Sequence, residues 1–171
     1  LVRAVREQNF DPEDEQAMQS LRGLIANSPD FSRGLLLHRE DGVRQLGIEM
    51  LRENPGPAGE LVCVELLGHD NARIRAAALT ALYPQHGQAT SRELIGVVLS
   101  RLRDEDNEVR LAAVRCLVEL LDDRVKARDG LLVGEAVAEE LFQEGQHAAM
   151  QAQCLIVLEL LEHDSSTSGR A

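Results

Sequence analysis

The chain has 171 residues, a net charge of −11, and an aromatic content of 2%, made up of three Phe, one Tyr and no Trp. Nucleic-acid backbones are held by Lys and Arg, so this charge balance disfavours a general DNA or RNA binder. A core without aromatics must be built from Leu, Val, Ile and Ala, which suits helix-on-helix packing and argues against β-sandwiches and barrels.

The chain begins on Leu1 and reads as a piece of a longer repeat protein. Residues 1–8 look like the tail of a helix. Asp11-Pro12-Glu13 starts the next, with Asp as N-cap and Pro in the first turn. That helix runs to about Asn27 and should bury Ala17, Leu21, Leu24 and Ile25, until Ser28-Pro29-Asp30 breaks it. A short helix over Phe31–His38 precedes a longer one over Asp41–Glu53. Asn54-Pro55-Gly56-Pro57-Ala58-Gly59 is the strongest breaker. Glu60–Leu67 and His69–Tyr83 form the next pair, closed by Pro84-Gln85-His86-Gly87. Thr90 and Glu93 offer a capping box for a helix to about Arg103, paired with Asp106–Leu121. Then come a helix near Val125–Phe142, with Asp129-Gly130 as a point of interruption, and a last one over His147–Glu162. Ser165–Ala171 is a small, polar tail expected to be disordered. Residues 1–164 are expected to form one domain.

A helix signature recurs along this series. Val43-Arg44, Ile74-Arg75 and Val109-Arg110 each open a run of small and apolar residues at helical spacing, and the arginines lie 31 and then 35 residues apart. A period of that size marks stacked helical hairpins. No apolar run approaches the roughly 18 residues of a membrane span, and no signal peptide opens the chain. Cys63, Cys116 and Cys154 stand singly among apolar neighbours, with no CxxC to bind zinc. They fit buried, reduced thiols of an intracellular protein, cytoplasmic or nuclear.

At these arginines the chain resembles the HEAT repeats, αα-hairpin units of armadillo-like solenoids, over roughly residues 31–164. The resemblance implies an all-α fold, a right-handed α-α superhelix of about four stacked hairpins. In that family an Asp about six residues before the Arg opens the second helix, and such polar residues bond into a ladder. Asp104 and Arg110 fit this pattern, whereas His38 and His69 stand at the Asp position before Arg44 and Arg75. In the last unit Met150 replaces the Arg. These arginines are structural in this reading.

Second helices in such families line the concave face. Aligned, they give the outward rows Gln45/Ala76/Leu111, Glu49/Thr80/Arg115 and Arg52/Tyr83/Val118. The inward rows are Val43/Ile74/Val109, Leu46/Ala77/Ala112 and Leu51/Leu82/Leu117. Gln45, Glu49, Arg52, Thr80, Tyr83, Leu111, Arg115 and Val118 are therefore the candidate partner-binding residues. Leu155 and Leu158 join them because the last helix is apolar all round and needs cover on two sides. A further repeat, a homodimer contact or a partner helix would each supply it. Residues 129–164 hold eight acids and no Lys or Arg, which would attract a basic partner segment.

The expected function is a non-enzymatic scaffold or adaptor for a partner peptide or helix, with no cofactor, metal, nucleic acid or membrane. The alternatives are a purely structural segment of a larger solenoid and a metal-dependent phosphohydrolase. The latter rests on His38, His69-Asp70 and a later Asp (Asp104 or Asp123), an order that resembles the HD phosphohydrolases. Stacking sets equivalent positions of successive repeats roughly 10 Å apart, too far to share one ion.

Overall fold

The computed structural model describes residues 15–54, 56–82, 90–121, 123–142 and 148–162, and gives the backbone alone for residues 15, 17, 18, 26, 123, 124, 149 and 162. Several expected features lie outside the described residues: the helix tail over 1–8, the Asp11-Pro12-Glu13 start, Pro55, Tyr83 with the turn after it, Glu144-Gly145 and the tail from Ser165.

Among the described residues every regular element is helical. In chain order they are α1 (Glu15–Asn27), α2 (Pro29–Leu36), α3 (Asp41–Glu53), α4 (Pro57–Leu66), α5 (Ala72–Ala81), α6 (Arg92–Ser100) with a 3-10 turn over Arg101–Arg103, α7 (Asn107–Leu120), α8 (Asp123–Leu141) and α9 (Ala148–Glu162). They divide into two compact units, residues 1–83 and 84–171.

At α2, α5, α6 and α7 the helix start follows from a short polar side chain that satisfies otherwise unpaired backbone N–H groups. Ser28 accepts from the Phe31 N–H ahead of Pro29. Asn71 accepts from Arg73 at 2.9 Å. Asp106 accepts from Glu108 at 2.8 Å and from Val109 at 3.3 Å. At α6 the cap is Ser91, whose hydroxyl accepts from the Leu94 N–H at 3.0 Å, and not Thr90. Thr90 is buried, and its carbonyl receives a hydrogen bond from Arg128 Nη2 at 2.9 Å. A residue drawn into the core cannot also turn its hydroxyl onto the helix end, so the cap falls to its exposed neighbour.

In the first unit the α2–α3 hairpin meets the α4–α5 hairpin with first helix on first (α2 on α4) and second on second (α3 on α5), while α1 leans on α2 and α4. The second unit repeats the scheme, with α6 on α8 and α7 on α9. Each pair of hairpins closes its own aliphatic core. Leu36, Met50, Leu51, Val62, Leu67, Ala78 and Leu79 fill the first, and Ile95, Val98, Leu102, Val109, Val114, Leu117, Leu120 and Val137 the second. Each fully buried Leu or Ile contributes about 1.5–3 kcal/mol over an exposed one, and no isolated hairpin buries both its sides.

Of the inward rows, Leu51, Leu82 and Leu117, Ile74 and Val109, and Ala77 are buried, while Val43, Leu46 and Ala112 are half-buried. Leu24 is more exposed than expected: α1 packs through Leu21 and Ile25, and Leu24 falls to one side of that line. α8 runs through Asp129-Gly130 without a break.

Candidate functional site: helix turns, buried ion pairs and an apolar outer face

The turn before each signature helix is built alike. The side chain at 38, 69 or 104 accepts the N–H two residues on: His38 Nδ1 from Glu40 at 3.2 Å, His69 Nδ1 from Asn71 at 3.0 Å, Asp104 Oδ1 from Asp106 at 3.0 Å. The arginine six residues on then donates Nη1 back to the carbonyl of the same residue: Arg44 to His38 at 2.6 Å, Arg75 to His69 at 2.9 Å, Arg110 to Asp104 at 3.0 Å. Arg75 adds the Asp70 carbonyl at 3.0 Å, and Arg44 pairs with Asp41. An imidazole nitrogen that accepts carries no proton, so it presents the same lone pair as an aspartate oxygen. His and Asp are thereby interchangeable at this position.

This also bears on the metal-enzyme alternative. Both imidazoles spend Nδ1 on the turn that carries them. Among the described residues no three His, Cys, Asp or Glu side chains gather as a metal-ligand group; the Asp123 side chain lies outside those residues.

Further ion pairs tie one helix to another. In the first unit Arg33 of α2 grips Glu65 of α4 with Nε at 3.2 Å and Nη2 at 2.6 Å. The hydrogen bond from Arg33 holds the Glu65 carboxyl below the usual carboxylate range. In the second unit the buried Asp129 of α8 accepts from Arg92 Nε at 2.9 Å and from Arg128 at 2.7 Å. The hydrogen bond from Arg128, followed by the charges of Arg128 and Arg92, pulls its carboxyl below the usual range against the opposing effect of burial. Glu140, only 1% exposed, accepts from Arg110 Nε at 3.0 Å. Arg103 reaches Glu139 at 2.8 Å on the surface. Sequence reading missed these roles: it counted Asp129 and Glu140 as members of the acidic stretch and took Asp129, with Gly130, as a point of interruption. A signal was present: Val125, Asp129, Val133, Val137 and Glu140 recur every three or four residues, so both carboxylates share the buried stripe of α8.

The predicted partner-binding residues fall as follows. In the first unit Gln45 and Glu49 are exposed on α3 and joined by a 3.1 Å hydrogen bond. Arg52 is half-buried and donates to the Thr80 carbonyl at 3.0 Å, linking α3 to α5. Thr80 is exposed, with its hydroxyl donating to Ala76 at 2.8 Å. These four share one side of the α3–α5 pair. In the second unit Leu111 and Val118 are half-buried and Arg115 exposed on α7. On α9 Leu155 is exposed and Leu158 half-buried. Tyr83 lies outside the described residues.

The most apolar exposed ground is on the last hairpin. Leu131 is 80% exposed, Phe142 82% and Leu155 49%, with Leu132 and Ile156 beside them. Leu131, Leu132 and Phe142 were not foreseen as surface residues. Beneath them Val133, Val137, Cys154 and Val157 are fully buried. Burial, then the charge of Glu140, pushes the Cys154 thiol up to about 11. In the first unit burial, then Glu60, pushes that of Cys63 up to about 12. All three cysteines are buried and outside any disulfide, a setting that keeps such thiols inert.

Residues 94–123 match the family model of the HEAT repeat. The match takes in α6, the 3-10 turn and α7, and so contains the Asp104 turn and its Arg110 staple. No curated protein and no solved structure matches the chain. Among the described residues no helix is long and apolar enough to cross a membrane.

Proposed function

We propose that this chain, which carries a HEAT repeat over residues 94–123, is a non-enzymatic scaffold or adaptor that holds a peptide or helix of another protein. HEAT repeats mediate protein interactions, and among the second helices Gln45, Glu49, Thr80 and Arg115 are exposed. The candidate contacts are Gln45, Glu49, Arg52, Thr80 and Tyr83 in the first unit, and Leu111, Arg115, Val118, Leu155 and Leu158 in the second. Arg44, Arg75, Asp104 and Arg110 keep the turns in shape and serve the partner only through that shape. Residues 1–164 are read as a single repeat domain of an intracellular protein.

The observation that carries this reading is the conjunction of a stapled, carboxylate-paired interior with exposed apolar side chains on the final hairpin. Large exposed apolar patches mark interaction sites. The test is affinity purification of the intact protein with quantitative mass spectrometry, run in parallel with Glu49→Lys/Arg115→Glu and Leu155→Ser/Leu158→Ser variants. A partner whose recovery drops with either variant supports the scaffold. Recovery of nothing above background, with the helix content of the wild type intact, would point to a purely structural segment.

A further inference from the structure

The outer side of the last hairpin has a regular composition that its apolar character alone does not require. α8 carries Leu131-Leu132-Val133-Gly134-Glu135 and α9 carries Leu155-Ile156-Val157-Leu158-Glu159. In both pentads the two leading apolar residues are exposed, the valine is fully buried, and the closing glutamate is exposed. At three and four residues' separation, each glutamate lies on the same helical side as its apolar pair. Neither Glu135 nor Glu159 has an ion-pair partner among the described residues, in contrast to Asp129, Glu139 and Glu140, which are paired with Arg92 and Arg128, Arg103 and Arg110.

We propose that this side of α8 and α9 is a docking surface for a cationic amphipathic helix of another protein. Its apolar stripe would rest on Leu131, Leu155 and Phe142, and its Lys or Arg side chains would meet Glu135 and Glu159. The proposal rests on the scaffold reading and gives it a site and a partner chemistry. Charge decides the occupant. A second copy of the chain would bring the same two unpaired glutamates against these, which is repulsive. A neutral helix would cover the leucines and leave both carboxylates without compensation, whereas a basic one satisfies both requirements.

The test uses the full chain and three synthetic helices that share one leucine face, flanked by lysines, glutamates or serines. Binding is read by isothermal titration. The lysine peptide should bind the wild type, and the Leu131→Ser/Leu155→Ser variant should lose at least about tenfold of that affinity. Both leucines are surface residues, so the variant keeps its fold, which circular dichroism checks. Glu135→Lys/Glu159→Lys should turn the preference toward the glutamate peptide although the chain stays acidic overall, which separates local pairing from general attraction by net charge. Equal binding of all three peptides, or unchanged binding by the serine variant, would overturn the proposal. So would a sedimentation-detected dimer abolished by the serine variant, which would assign the face to a second copy. If cellular partners are recovered equally by wild type and serine variant, the scaffold reading stands and this site falls. If neither partner nor peptide is bound, both fall.

Discussion

A single arginine pins the turn before each signature helix. Arg75 is the clearest case, because it is buried and donates to two successive carbonyls of the turn, those of His69 and Asp70. Hydrogen bonds from charged donors contribute about 1.5–3 kcal/mol, and their loss leaves the carbonyls unmet. Arg75→Ala should therefore destabilise the protein by roughly 2–3 kcal/mol. Arg75→Lys should recover only part of this, since Nη1 makes both bonds and the shorter lysine side chain ends before the place that Nη1 occupies. Urea unfolding monitored by circular dichroism measures both. The pair of Arg110 and the buried Glu140 predicts a larger loss: Arg110→Met removes a cation that a buried carboxylate is bonded to and should cost about 3 kcal/mol or more. Asp129 gives a pH-dependent expectation. Its carboxyl lies below the usual range in the folded state, so the folded protein favours the ionised form. Its contribution is complete above the unfolded carboxylate range and disappears as pH falls through the lowered folded value. Wild type should thus melt above Asp129→Asn at neutral pH, with the gap closing in strong acid. A constant gap across a pH series of thermal melts would contradict this account.

Two glycines set how closely helices approach. A methyl group on Gly47 of α3 would stand 2.8 Å from the Leu35 Cβ of α2, an atom fixed to the backbone. On Gly59 of α4 it would meet only the Cδ2 of Leu51, at 2.6 Å, the far end of a flexible side chain. Overpacking costs about 1–3 kcal/mol when the neighbours cannot yield. Gly47→Ala should fall in that range and Gly59→Ala well below it, despite the shorter contact, and denaturant midpoints at equal slope would reveal the order. The continuity of α8 has a related cause. Asp129 turns its carboxylate to Arg92 and Arg128 rather than to the local backbone, and Gly130 gives room to Leu161, whose Cδ2 would lie 3.4 Å from an added Cβ. A residue pair that interrupts helices in isolation is here recruited for packing.

Across the whole molecule stability is built hairpin by hairpin, so a local defect should fade along the chain. In hydrogen-exchange mass spectrometry Gly47→Ala should strip protection from segments of α3 and α5, such as those with Leu51 and Leu79, and much less from the α7 segment with Leu117. Uniform loss everywhere would mean a single all-or-none core and sink the repeat-wise account. The net charge of −11 acts at the same scale: if the proposed scaffold holds a basic partner, its capture should weaken as salt rises.

The sequence alone determined the class of architecture. Recurrence of Val/Ile-Arg before small and apolar residues, breakers at turn-sized gaps and the near absence of aromatics are local properties, and local properties suffice to predict helical hairpins. It also set positions 38, 69 and 104 in register, because that register depends only on distance along the chain to the next arginine. What the tertiary structure decided was the fate of charge and of apolar surface. Asp129 receives its partner Arg92 from 37 residues away, and Glu140 receives Arg110 from 30 away. Helical spacing places both carboxylates on the apolar stripe of α8, but which cations meet them there is not written near them in the chain. Leu131 and Phe142 look like core residues by composition, yet no helix among the described residues covers them. Burial is a property of what packs against a side chain, and only the stacking of one hairpin on another supplies that neighbour.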